Sequence, residues 1–276
     1  MTSSSEPRNL RRPLACTGAL LAEELIAHPD LPPSGEITNR KIVITFGGAF
    51  EFDNGRNSTW VDPSRILFAE TNRAYTDRHV VPGKGHQSVI LTADPNLLDE
   101  AAGSVGTYFT NVAAHAPPHL VMLTQMLRRA TDALQQQELS STILLECFGE
   151  SARVLKGTDT RRVRQAKAMI HDCQDGRLTL EHIAEQLGVS SIYLTQAFKR
   201  AEGVSLYRYQ TQLRLCRALD RLRDVQDITD LALDLGFSSH SHFSAAFRGE
   251  FGLTPSNFRS GRLSISQSAA GKTLVS

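Results

Sequence analysis

The C-terminal third of this chain holds one helix–turn–helix pattern twice, and that repeat limits its fold more than any other feature. Ile183, Ala184, Leu187 and Gly188 recur as Leu231, Ala232, Leu235 and Gly236, 48 positions later. Each position has a physical reason. Ile183 and Leu187 lie four apart and share a helix face, as do Leu231 and Leu235. Ala184 and Ala232 are small where a second helix must cross closely. Gly188 and Gly236 permit the left-handed backbone that ends a helix. Val189 and Phe237 can then fill the core. Ser190 or Ser191, and likewise Ser238 or Ser239, can cap the helix that follows.

The second helices match at an offset of 49: Leu194, Phe198, Lys199, Gly203 and Val204 correspond to Phe243, Phe247, Arg248, Gly252 and Leu253. The second copy therefore carries one extra residue between its turn glycine and its next core position. Between the copies, Leu206, Tyr209, Leu213, Cys216, Leu219 and Leu222 recur at 3–4 spacing. That predicts a long helix over 205–223, which sets the distance between the two units. Arg208, Arg214, Arg217, Arg221 and Arg223 decorate its other faces. Pro255 after Thr254 predicts a short final helix.

The second copy resembles the signature of the AraC-type (AraC/XylS) transcriptional regulators. The resemblance lies in Ile228 to Ala232, Gly236-Phe237-Ser238, Ser241-His242-Phe243, Phe247-Arg248, Gly252-Leu253-Thr254-Pro255 and Phe258-Arg259, and it includes the longer turn. It covers roughly residues 161–262. It implies sequence-specific binding of double-stranded promoter DNA, activation of transcription with RNA polymerase as a partner, and a homodimer. It also implies an N-terminal domain that senses a small-molecule effector.

In such a domain the second helix of each unit lies in a major groove and reads bases with its N-terminal residues. In the first unit (180–201), Ser191, Ile192, Thr195 and Gln196 are the candidates for bases, with Lys199 and Arg200 toward phosphate. Gln196 can bond adenine bidentately, and Ile192 or the Thr195 methyl can touch thymine methyls. In the second unit (228–251) the matching positions are His240, Ser241, Ser244 and Ala245, with Arg248 toward phosphate. The family often carries longer polar or basic residues at the positions of Ser244 and Ala245. The small residues here put base reading by the second unit in doubt. The expectation is that the first unit specifies sequence and the second positions the protein.

Upstream the pattern changes. Over residues 36–96, short runs such as Ile42 to Phe46, Phe50-Glu51-Phe52, Ser58 to Val61 and Ser88 to Leu91 alternate with turn signals at Asp53-Asn54-Gly55, Asp62-Pro63 and Pro82 to Gly85. This spacing predicts an antiparallel sandwich or small barrel. The stretch also resembles, more loosely, the family's cupin-like effector-binding domain. The expected fold class is therefore α+β in two domains: a cupin-like β-barrel with flanking helices, then an all-α domain with two helix-turn-helix motifs joined by a long helix.

The remaining divisions follow. Residues 1–35 are expected to be a polar tail and a short amphipathic helix over about Thr17–Ala27. Residues 97–156 are expected to be a helical segment, with helices over 119–134 and 143–155 and a start signal at Pro117-Pro118. It either packs on the β domain or forms a dimer seam. Residues 157–160 read as a linker, residues 161–262 as the DNA-binding domain, and residues 263–276 as a flexible tail. Charge follows the division: residues 160–262 carry 15 Lys/Arg and 11 Asp/Glu, whereas residues 1–159 carry 14 and 18.

If the β domain is a sensor, its pocket is expected inside the barrel, with Phe50, Phe52, Trp60, Tyr75 and His79 as candidates. The alternative is a domain used only for dimerisation or protein contact. A metal-dependent cupin enzyme is a remoter reading: His79 and His86, with Glu51 and Asp53, are its only materials, and His-x-His is absent. No nucleophile elbow is present either, so neither catalysis, metal nor cofactor is expected. Cys16, Cys147, Cys173 and Cys216 lie far apart without a C-x-x-C pair, which argues against a zinc finger or a disulfide framework. No apolar run approaches the roughly 18–20 residues of a membrane span. Glu23 and Glu24 interrupt the one loosely signal-like stretch, so a cytoplasmic protein is expected.

Overall fold

The computed structural model describes residues 8–102, 109, 113–149, 160–173 and 178–261. Residues 150–155 of the expected second helix, most of the linker and the tail over 263–276 lie outside them.

Among the described residues, ten antiparallel strands come first: β1 (Leu10–Cys16), β2 (Leu20–Ile26), β3 (Ser34–Ile37), β4 (Lys41–Gly47), β5 (Phe50–Asp53), β6 (Ser58–Val61), β7 (Arg65–Ala69), β8 (Arg73–His79), β9 (Gln87–Ala93) and, after a helix, β10 (Ala113–His115). They form a six-stranded sheet in the order β1-β2-β9-β4-β7-β10 and a four-stranded sheet in the order β3-β8-β5-β6. Both sheets are open, so the architecture is a sandwich where a closed cupin-like barrel was expected. One core between the sheets holds Leu25, Val43, Leu67 and Ile90 against Phe50, Phe52 and Val61. The six-stranded sheet is also covered on its other face, where Ile42, Ile44, Phe68, Val89 and Leu91 meet helices. Burial on both faces explains why Ile42 to Phe46 is a continuous apolar run rather than an alternating one.

The N-terminal segment corrects the sequence reading. The sheet begins at Leu10, and the stretch expected as a helix over Thr17–Ala27 is the tight β1–β2 hairpin. Thr17 closes it: its N–H donates to the Leu20 carbonyl at 2.8 Å, and its hydroxyl accepts from the Leu20 N–H at 2.9 Å. The misreading has a physical source. Leu20, Ala22 and Glu24 alternate inward along β2, but one of the three is charged. Glu24 is buried because Arg12 and Arg128 both donate to it, at 2.6 Å each.

Helix α1 (Pro95–Ala102) precedes β10, and α2 (Pro118–Arg129) and α3 (Ala133–Glu146) follow it. Pro118 occupies the first turn of α2, as the Pro117-Pro118 signal predicted. The chain breaks at Ala130, in extended conformation. Asp132 then caps α3 by accepting from the Gln135 N–H at 2.9 Å, so α3 begins ten residues before the position expected for the second helix. Helix α2 is buried from Leu120 to Leu127, packed between the six-stranded sheet and the C-terminal domain.

The C-terminal domain comprises α4 (Arg161–Asp172), α5 (Leu180–Gln186), α6 (Ser191–Glu202), α7 (Leu206–Arg221), α8 (Ile228–Asp234), α9 (His240–Phe251) and α10 (Pro255–Arg259). The long helix α7 serves two cores. Its first half gives Leu206, Tyr209 and Leu213 to a cluster with α4, α5 and α6. Its second half gives Leu215, Cys216, Leu219 and Leu222 to a cluster that holds α8, α9 and α10 and runs on through α2 into the β domain.

Candidate nucleic-acid interface

Both turns are built as the repeat implies. Gly188 and Gly236 have φ of 63° and 79°, a region where a side chain is strained. The caps show where the extra residue sits. Ser190, two past its glycine, accepts from the Tyr193 N–H at 3.1 Å, and Ser239, three past its glycine, accepts from the His242 N–H at 3.1 Å. The inserted position lies between Phe237 and the cap, and both second helices end at a left-handed glycine, Gly203 and Gly252.

The pairs Leu194/Phe198 and Phe243/Phe247 are fully buried and fix which face of each second helix looks outward. On α6 that face carries Ile192, Thr195, Gln196, Lys199 and Arg200, all exposed, with Ser191 half-buried at its start. Ile192 is 72% exposed, an unusual state for an isoleucine and a ready surface for a thymine methyl. Tyr193 is also exposed beside it, a residue the sequence reading passed over; its place one step before Leu194, at the margin of the core stripe, was the available signal. On α9, His240, Ser241, Ala245 and Arg248 are exposed and Ser244 is half-buried. Here the polar groups are engaged with each other. Ser244 Oγ lies 3.2 Å from His240 Nε2, and Ser238 Oγ lies 3.0 Å from His242 Nδ1.

The two units are held differently. The second shares an apolar core with α2, whereas the first meets the β domain through buried charge. Glu202, at the end of α6, accepts from Arg65 of β7 at 2.7 Å and from Lys167 of α4 at 2.8 Å. Asp62 lies 3.8 Å from Lys167 and accepts from Trp60 Nε1 at 2.6 Å and from the Tyr209 hydroxyl. Burial alone would push the Asp62 carboxyl upward, but the Lys167 ammonium and the His171 contact outweigh it and hold it well below its ordinary range. Burial pushes His171 down and Tyr209 up. No sequence signal pointed to this seam, since its members come from segments more than a hundred residues apart.

The five candidates for an effector pocket separate. Phe50, Phe52 and Tyr75 line a cavity of about 40 Å³ between the sheets, together with Arg11, Lys41, Asp77 and His86. That volume holds no more than a few waters. Burial raises Asp77 to about 8 and lowers His86 to about 3. Trp60 and His79 instead line an open cleft of about 580 Å³ between the outer face of the four-stranded sheet and α4.

A family model described as a helix-turn-helix domain matches residues 183–261. The chain is similar to the HTH-type transcriptional activator RhaS of Escherichia coli, 35% identical over 259 residues that cover 87% of this chain and 91% of that protein. It is similar to RhaS of Shigella flexneri at 24% identity, covering 90% and 94%. The match to the activator RhaR of Pectobacterium carotovorum, at 32%, spans 50% of this chain and about half (55%) of that one. Among solved structures, an AraC-type DNA-binding domain protein of Chromobacterium violaceum matches at 31% identity over 40% of this chain and 95% of its own (TM-score 0.35). ToxT of Vibrio cholerae matches at 11% over 87% and 98% (TM-score 0.36).

Proposed function

The chain belongs to the AraC-type family of transcription regulators, and from that premise we propose how its two reading units divide the work and what its β domain adds. It is a DNA-binding transcription regulator of the helix-turn-helix class, and its relatives are regulators rather than enzymes. The first unit reads bases through Ile192, Thr195 and Gln196, with Lys199 and Arg200 on phosphates. The second holds register through Arg248, with His240 and Ser241 near the groove and the small Ser244 and Ala245 reading little. The observation that carries this division is the contrast between α6, where Ile192 and Gln196 stand exposed and Thr195 turns only its hydroxyl back to the Ser191 carbonyl, and α9, where Ser244 is half-buried and bonded to His240. Base contacts specify and phosphate contacts position, so the two faces have different consequences for sequence preference. Selection of bound duplexes from a random pool tests the division. Substitutions on α6 are expected to change the selected motif, and substitutions on α9 to weaken it without changing it.

The β domain makes the regulator effector-responsive in this reading, with the ligand outside the sandwich, since the interior cavity is too small for one. The protein acts as a homodimer on promoter DNA and contacts RNA polymerase in the cytoplasm. Support for self-association comes from α3, where Leu134 and Leu145 are exposed and three turns apart on one stripe. Light scattering of Leu134→Asp with Leu145→Asp tests it: the double variant should halve the mass. Among the described residues no helix is long and apolar enough to cross a membrane.

A further inference from the structure

The cleft beneath α4 has the chemistry of a ligand site. Its floor is the outward face of the four-stranded sheet, where Glu51 pairs across the ladder with Trp60 on one side and Arg78 on the other. Its far wall is α4, which presents Arg161, Arg164 and Gln165. The volume of about 580 Å³ lies within the range of small-molecule pockets. Among the described residues, three guanidinium groups face this space against one lining carboxylate. Glu51 is shared between Arg164, at 2.8 Å, and Arg78, at 3.5 Å, while Asp53 touches only the far side of Arg78, at 3.7 Å. Arg161 stands exposed at the rim. The balance is positive, and guanidinium forks favour carboxylate or phosphate.

The lining side chains Arg164 and Gln165 also hold polar atoms that no group among the described residues satisfies. Arg164 Nε and Gln165 Oε1 are buried and make no hydrogen bond among the described residues. Arginine N–H groups call for an anion, whereas a carbonyl-type oxygen such as Gln165 Oε1 calls for a donor. We propose that this cleft binds a small organic anion bearing hydroxyl groups, its carboxylate or phosphate on Arg78 and Arg161 and its hydroxyls toward Gln165. The bound anion bridges the β domain to α4. It lies against Trp60, whose indole donates to Asp62, and beside the helix whose Lys167 holds Glu202 of the first reading unit. The inference rests on the effector-responsive reading and names the class of effector.

The chain has a single tryptophan, Trp60, so its fluorescence reports the cleft directly. The full chain is titrated with gluconate, glucose 6-phosphate, glucose and sulfate at constant ionic strength. The expected result is a saturable change in emission with gluconate or glucose 6-phosphate, with half-saturation at or below millimolar, and none with glucose or sulfate. A response to only one of the two anions names the charged group. Arg78→Gln with Arg161→Gln should raise the half-saturation concentration at least tenfold while leaving the melting temperature within a few degrees. Emission unchanged by either hydroxylated anion overturns the proposal. So does an equal response to sulfate, which would mean an adventitious ion only, or a response indifferent to the double substitution. A ligand that alters DNA affinity without touching Trp60 emission overturns the cleft while leaving effector responsiveness standing.

Discussion

Arg65 and Glu202 stand 137 residues apart in sequence and meet at 2.7 Å, both almost wholly buried, one on the β sandwich and one at the end of the first reading helix. Lys167 shares the same carboxylate oxygen at 2.8 Å. Two cations on one buried oxygen make this contact sensitive to the loss of its negative member.

Glu202→Gln should therefore cost about 3–5 kcal/mol, the typical penalty for leaving a buried charge unpaired. Replacing Arg65 and Glu202 together by methionine should cost far less, because one cation and one anion leave as a pair and Lys167 keeps Asp62 as its partner. Urea unfolding midpoints of the two variants decide the matter. Equal midpoints for Glu202→Gln and the parent chain would mean that the contact does not hold the domains.

The two cores predict different reach for two similar truncations. Phe198→Ala and Phe247→Ala should each lose about 3–5 kcal/mol. Phe198 belongs to the cluster of α4, α5, α6 and the first half of α7, while Phe247 belongs to the cluster that continues into α2 and the sandwich. Amide exchange in α2 should rise with Phe247→Ala and stay unchanged with Phe198→Ala. Faster exchange in α2 from both would show that the cores are one.

On DNA, Gln196→Ala should shift preference at one base position by about 1–3 kcal/mol, and Arg248→Ala should weaken all sequences alike. Competition binding with single-base operator variants at fixed salt measures both. Uniform losses from the two substitutions would refute the division between reading and positioning.

The interior pair Asp77 and His86 sets a pH dependence. Asp77, raised to about 8 by burial, keeps a proton in the folded chain that the unfolded chain loses near pH 4. Its contribution is full below about pH 4 and falls as pH rises to about 8. His86, lowered to about 3 by burial and then by His79, works in reverse: its contribution is full above about pH 6.5 and is lost as pH falls. The slopes oppose each other at acid pH, which leaves a net decline from about pH 6.5 to 8, roughly 1–2 kcal/mol. Asp77→Asn should abolish that decline in urea midpoints taken at both pH values. A parent chain equally stable at the two would place Asp77 outside this account.

Much of the C-terminal domain could be read in advance because its determinants are local. The turn glycines, serine caps and i,i+4 core pairs each act within a dozen residues, and even the extra turn residue of the second unit was visible as a slip from 48 to 49. The β domain was read less well. Its strands from Ile42 to Leu91 follow from the sequence, but β10 falls in the stretch expected to be helical, and β2 reads as a helix because buried Glu24 breaks the alternation. Glu24 is tolerated there only because Arg128, 104 residues away, donates to it.

What the sequence by itself determined is therefore the pair of helix-turn-helix units and the outward faces of α6 and α9, since helical periodicity and a left-handed glycine are properties of the chain near each residue. What only the tertiary structure decided is how the units are held: the second in a shared apolar core, the first by Arg65, Lys167 and Asp62 around Glu202 and Tyr209. Charges and hydroxyls at such positions read as solvated surface in a sequence. They become a buried seam only when folding brings distant segments together and removes the water between them.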